Sequence, residues 1–155
     1  FIERLIHALA EEMNLNIKSF GSLALKRDNM KRGAEPDSCY YIQNEPRVRN
    51  KRNIDLNIDP PPDLVLEIDI TSSSIDKRPI YAALGIPEIW QYDGRSLQIL
   101  LLSQLDSSYT QTQKSPTFPI LELNLVPQLI AQSLIDGETK TLSLFRMWIR
   151  QQISS

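Results

Sequence analysis

One cysteine and one histidine are all that 155 residues hold of the two side chains that most often build zinc sites. Cys39 alone excludes an internal disulfide and a cysteine-rich zinc cluster, and it fits a reducing compartment. His7 alone excludes the multi-histidine sites typical of catalytic zinc. No apolar run approaches the roughly 20 residues a membrane span needs, and no signal-peptide pattern opens the chain. Net charge is −2 and the isoelectric point is near 5.4. That balance argues against broad, nonspecific affinity for nucleic acid, while leaving room for a local basic groove. The expectation is a soluble cytoplasmic protein with no membrane partner.

What is present describes an ordinary folded domain. Hydrophobic residues make up 41% and charged residues 23%, enough for a real core in one domain spanning 1–155. The first residue is Phe, not Met, and opens directly onto a helix pattern, as expected if an N-terminal segment precedes it. Ile2, Leu5, Ile6, Leu9 and Met13 recur at helical spacing, so a helix is expected to end near Asn14. Residues 17–26 read as a strand broken by Gly21, 28–33 as a polar turn, and 35–43 as a strand with Glu35, Asp37, Cys39 and Tyr41 on one face. Residues 44–62 read as a loop carrying Arg47, Arg49, Lys51 and Arg52. Strand 63–70, a polar turn at 71–74 able to cap a helix, and a helix over about 75–84 ending at Gly85 follow. Asp93-Gly94 signals a hairpin between strands 88–93 and 96–103. A polar connection over 104–119, with a short strand near Tyr109, leads to two helices at about 124–135 and 140–152. The order predicts an α/β or α+β domain: a central twisted mixed sheet flanked by helices.

The strand Asp63-Leu64-Val65-Leu66-Glu67-Ile68-Asp69-Ile70 alternates acid and aliphatic. Asp63, Val65, Glu67 and Asp69 share one face, and carboxylates on a buried-looking strand are costly unless a cation or solvent meets them. Asp63 and Glu67 lie about 13 Å apart along a strand, too far to share one ion, whereas Glu67 and Asp69 lie about 6.6 Å apart. If strand 35–43 pairs with strand 63–70, Asp37 faces Glu67. An all-oxygen site of Asp37, Glu67 and Asp69 suits Mg²⁺ or Mn²⁺ rather than zinc. Lys77, in the first turn of the next helix, is placed to bring its ammonium to the carboxylates if that helix folds back over the sheet. There it would orient an attacking water and offset transition-state charge.

These residues also carry a resemblance. Glu35-Pro36-Asp37, then Pro62 to Thr71, Asp76-Lys77 with Ile80-Tyr81, and Gly85-Ile86-Pro87-Glu88-Ile89-Trp90 resemble the putative restriction endonuclease family abundant in cyanobacteria. That family is a branch of the PD-(D/E)XK nuclease superfamily. Phe145 to Arg150 is similar to its closing helix. The resemblance implies a restriction-endonuclease-like fold, DNA as the partner and Mg²⁺ or Mn²⁺ as cofactor. It also implies in-line hydrolysis that leaves a 5′-phosphate. Asp37 matches the first metal-binding acid and Glu67 the second, with the Ile68 carbonyl as a further ligand. The superfamily's usual lysine would fall at position 69, which here is Asp69; Lys77 occupies the place of a lysine moved to the following helix.

Plainer readings stand beside these. Asp37 and Glu67 also fit a solvent-facing pair, Asp69 a solvated acid, and Lys77 an ordinary helix lysine. Asp63 is expected to fix the start of its strand by bonding backbone N–H groups near the prolines, and Glu35 to serve as an accessory. The basic loop of Arg47, Arg49, Lys51 and Arg52 suits phosphate contact or plain solvation. His7 and Cys39 fit structural roles better than catalytic ones. Three functions follow: a metal-dependent DNA phosphodiesterase, working as a homodimer; a catalytically silent nucleic-acid or protein-binding module on the same fold; or an oligomeric structural unit. In the last, the hairpin around Gly94 and the Trp148 helix form the dimer face.

Overall fold

The computed structural model describes residues 1–69 and 76–155. Along the chain run α1 (Ile2–Glu12), β1 (Lys18–Gly21), β2 (Ser38–Tyr41), α2 (Glu45–Val48), β3 (Leu64–Ile68) and α3 (Arg78–Leu84). β4 (Glu88–Tyr92), β5 (Leu97–Leu102), β6 (Tyr109–Thr112), α4 (Leu125–Asp136) and α5 (Glu138–Ser154) complete it. The six strands form one sheet in sequence order, β1 to β6. Only β3 and β4 pair in parallel, because α3 carries the chain back between them; the other neighbours are antiparallel. The result is the expected α/β architecture, a mixed sheet flanked by helices.

Strand parity sorts the core into two layers. On one face Leu64 and Leu66 of β3, Trp90 of β4 and Ile99 of β5 pack against Leu5, Ile6 and Leu9 of α1 and Phe145 and Ile149 of α5. On the other, Cys39, Val65, Ile89 and Leu100 pack against Tyr81 and Leu84 of α3, with Leu25 and Leu56. Each fully buried leucine or isoleucine in these layers contributes about 1.5–3 kcal/mol. α1 stops where Asn14 turns left-handed (φ 59°); the amides of Asn14 and Leu15 bond back to Glu11 O and Ala10 O, satisfying the last carbonyls. Gly85 (φ 78°) ends α3 the same way, with bonds to Ala82 O and, from Ile86, to Tyr81 O. Pro79 is harmless in the first turn of α3, where its missing N–H has no partner to lose.

Four expectations need correction. Residues 44–62 are not all loop: α2 forms there, and the Lys18 ammonium bonds the carbonyls of Val48 (3.2 Å), Arg49 (2.8 Å) and Lys51 (2.7 Å) at its C-terminal end. The strand at 35–43 is shorter, and Asp37 lies one residue before it. α3 begins at Arg78, so Lys77 is its N-cap rather than part of its first turn. The strand at 17–26 breaks at Gly21 as expected, but it does not resume: β1 stops there, and Leu25 makes only a separate bridge to Ala34. The expected turn at 71–74, Ile70 and the helix start at Ile75 lie outside the described residues.

Candidate active site

The β2–β3 register determines which acids meet. Ser38 pairs with Leu66 and Cys39 with Val65, so the next position along brings Asp37 opposite Glu67. Asp37 closes that end of the pair itself: its Oδ2 accepts the Ile68 amide at 2.6 Å. Asp37 is exposed, while Glu67 is half-buried on the α3 face of β3.

Helix α3 then delivers two more side chains to the same carboxylate. Lys77 Nζ lies 3.4 Å from both Glu67 Oε1 and Oε2, and donates to the Glu35 carbonyl at 2.8 Å. A lysine at a helix N-cap faces the positive end of the helix dipole, an unfavourable place for a cation; here the Glu67 carboxylate offsets that cost. Tyr81, one helical turn further on, donates its hydroxyl to Glu67 Oε1. Its role was not foreseen from sequence. The available signal was the spacing of four between Lys77 and Tyr81, which puts both on one helix face.

Electrostatics single out Glu67. Burial pushes its carboxyl above the ordinary glutamate range; the Tyr81 hydroxyl and the Lys77 charge pull it down, and the Asp37 charge pushes it up again. Burial and the Glu67 carboxylate push the Tyr81 phenol far up, so it stays a proton donor. Glu67 is thus an under-compensated carboxylate beside a second one, the situation a bound dication relieves. The donor set of Asp37 and Glu67 fits a hard ion such as Mg²⁺ or Mn²⁺. Among the described residues, no group of three or more His, Cys, Asp or Glu side chains converges as a metal cluster. Asp69 follows β3, half-buried, with its amide donating to Tyr92 O at 2.8 Å.

The remaining candidates lie elsewhere or act differently. Glu35 meets the site through its backbone carbonyl, not its exposed carboxylate. Asp63 does bond backbone amides, but those of Ile42 (2.7 Å) and Asn44 (2.9 Å), beyond β2 rather than near the prolines. The basic segment leaves the sheet at that end, opposite to Glu67. There Arg49 pairs with Glu45 at 2.5 Å and Lys51 with Asp59, while Arg47 and Arg52 are exposed. His7 sits on the α1 face of the sheet, edge-on to Tyr40 with ring centroids 5.8 Å apart. Cys39 is buried, and burial pushes its thiol up to about 12, so it is not a nucleophile.

Among the described residues no helix is long and apolar enough to cross a membrane. No curated protein matches the chain. The profile of the Uma2 family, described as Putative restriction endonuclease, matches residues 1–145. With the mixed sheet and the acid pair at the end of β3, that match over nearly the whole length shows that the chain belongs to the Uma2 family of restriction-endonuclease-like proteins.

Proposed function

We propose that this protein is a Mg²⁺- or Mn²⁺-dependent endonuclease that hydrolyses phosphodiester bonds in DNA. The observation that carries the reading is the convergence on Glu67: Lys77 Nζ at 3.4 Å from both its oxygens, with Asp37 tied to the next residue of the same strand. Asp37 and Glu67 would hold the ion, with the Ile68 carbonyl as a further oxygen ligand; Asp69, which among the described residues does not converge with them as a third acid, would join only on a shift at the end of β3. When bound, the ion polarises a phosphoryl oxygen and lowers the pKa of a coordinated water. Lys77, anchored on the Glu35 carbonyl, orients the attacking water and offsets charge developing on phosphorus. Tyr81 fixes the Glu67 carboxylate through its Oε1. Attack in line with the leaving oxygen would leave a 5′-phosphate.

Exposed Arg47 and Arg52 are free of ion pairs among the described residues and suit contact with the DNA backbone; Arg49 and Lys51 would do so only by sharing their carboxylate partners. A homodimer fits the exposed apolar side chains of Leu134 and Ile135 on α4 and Leu144 and Met147 on α5. The hairpin around Gly94, where Arg95 and Ser96 are exposed, together with the Trp148 helix offers a second such face. A cytoplasmic location fits the single free cysteine.

A second reading, a nuclease fold without catalysis, is favoured by the acid at position 69 and by the lack of a three-ligand cluster among the described residues. One experiment separates the two. Asp37→Ala and Glu67→Ala should each abolish Mg²⁺-dependent cleavage of plasmid DNA while circular dichroism stays native. Cleavage persisting in both variants would defeat the proposal.

A further inference from the structure

Residues 26–33 carry Lys26, Arg27, Lys31 and Arg32 against the single acid Asp28. In a chain of net charge −2, four cations against one acid in eight residues is a local inversion of sign. The structure shows that this segment is a built arm. Leu25 and Ala34 close its base with two backbone bonds, 2.8 and 3.0 Å, and the Met30 amide bonds the Arg27 carbonyl at 3.0 Å. Gly33 is required for the closure: a Cβ there would lie 2.8 Å from Leu25 O and 2.9 Å from Lys26 Cβ.

Three residues fasten the arm to the body. Arg27 donates to the carbonyls of Leu56 (3.2 Å), Ala83 (3.3 Å) and Leu84 (3.2 Å). The Asp28 amide donates to Asn57 Oδ1 at 3.0 Å, and Met30 packs on the α3 side of the core beside Leu25. The other cations, Lys26, Lys31 and Arg32, all point outward; they are exposed and make no ion pair among the described residues. Arg27, Asp28 and Asn29 of the arm line one open cavity of about 570 Å³ with Arg47, Asn57 and Asp59. Two segments distant in sequence therefore meet in one groove, where Arg27 and Arg47 stand against Asp28 and Asp59, while Lys26, Lys31 and Arg32 lie outside it. At its other end the arm runs straight into Glu35 and Asp37. Arg32 is five residues from Asp37, so it lies within about 18 Å of it, about five nucleotide steps along one strand.

We propose that the hairpin of residues 25–34 is a DNA-backbone-binding arm, in which Lys26, Lys31 and Arg32 contact phosphates of the strand that reaches Asp37 and Glu67. The assignment deepens the nuclease reading above and rests on it for the identity of the ligand. Fixed lysines and arginines on a short arm position a polyanion without reading its sequence. Their strength is set by released counterions, so it is visible as a salt dependence.

The test is fluorescence anisotropy with a labelled DNA duplex between 50 and 200 mM salt, in a Glu67→Gln background so that nothing is cut. Adding Lys26→Ala, Lys31→Ala and Arg32→Ala together should weaken binding at least tenfold at low salt. It should also flatten the log–log salt slope by about 2–3, near 0.9 per lost phosphate contact. The control is Arg4→Ala, whose guanidinium is paired with Glu138 on the helical side of the molecule; it should leave the slope unchanged. An unchanged slope in the triple variant overturns the proposal, as does a parent protein that fails to bind the duplex at 50 mM salt. Failure of the nuclease reading looks different: DNA is bound through the arm, yet the native protein does not cleave it with Mg²⁺.

Discussion

Glu67 and Glu88 are both glutamates on the paired parallel strands β3 and β4, and their surroundings are opposite. Glu88 is 3% exposed, at the start of β4, on the α1 face. Its carboxylate accepts the Trp90 indole N–H at 2.7 Å and the hydroxyls of Ser115 (2.5 Å) and Thr117 (2.8 Å). These neutral donors are fixed by packing, and they tie the 115–118 strap to the sheet. Glu67 stands at the other end and on the other face. It has one hydroxyl donor, one ammonium at long range and a second carboxylate nearby. A carboxylate that is fully served is structural; one that is left short of positive charge can take up more.

Swapping side chains should split the two apart. Glu67→Gln should reduce Mg²⁺-dependent cleavage to background without loss of fold. The sign of its effect on stability follows from the raised carboxyl. The stabilising share of protonated Glu67 is complete below the ordinary glutamate value of 4.5 and is lost as pH rises through the raised folded value. Glutamine does not ionise, so in metal-free protein the Tm of Glu67→Gln should gain on the native Tm as pH rises from 4 to 8. A constant difference across that range would show that Glu67 carries no burial penalty. Glu88→Ala should do the reverse. It strands three buried donors, so urea unfolding should register a loss of about 3 kcal/mol or more, while the folded fraction keeps its metal-dependent cleavage.

Tyr81→Phe gives a smaller and finer change. The hydroxyl holds the Glu67 carboxyl down, so its loss should let the carboxyl rise further. The acid limb of the kcat/KM profile should then move to higher pH, with about a tenfold loss of activity at neutral pH, as for other residues that orient a metal ligand. A limb that stays in place would mean that Tyr81 only packs.

Much of this contrast was legible in the sequence, and the part that was not has a physical reason. The stripe of α1, the alternation of β3 and the Asp93-Gly94 turn are local patterns. In the turn, Asp93 Oδ1 accepts the amides of Arg95 (2.8 Å) and Ser96 (2.9 Å), a bonding habit of aspartate that the sequence alone announces. The pairing of Asp37 with Glu67 followed from strand parity once the two strands are taken as neighbours; the antiparallel register that sets them opposite belongs to the fold. The Glu88 network could not be seen, because its hydroxyl partners are 27 and 29 residues away. α2 was hidden for the same reason: a four-residue helix has little propensity of its own, and the ammonium that caps it comes from Lys18 on β1. Residues 28–33 read as a plain polar turn, because the Arg27 bonds that fasten the arm reach carbonyls 56 and 57 residues away at the end of α3.

Calorimetric titration of Mn²⁺ into the native protein and into Glu67→Gln and Asp37→Ala tests the central claim most directly. Saturable binding of one ion per chain is expected in the native protein, and its loss in both variants. Equal binding in all three, or none in the native protein, would contradict it.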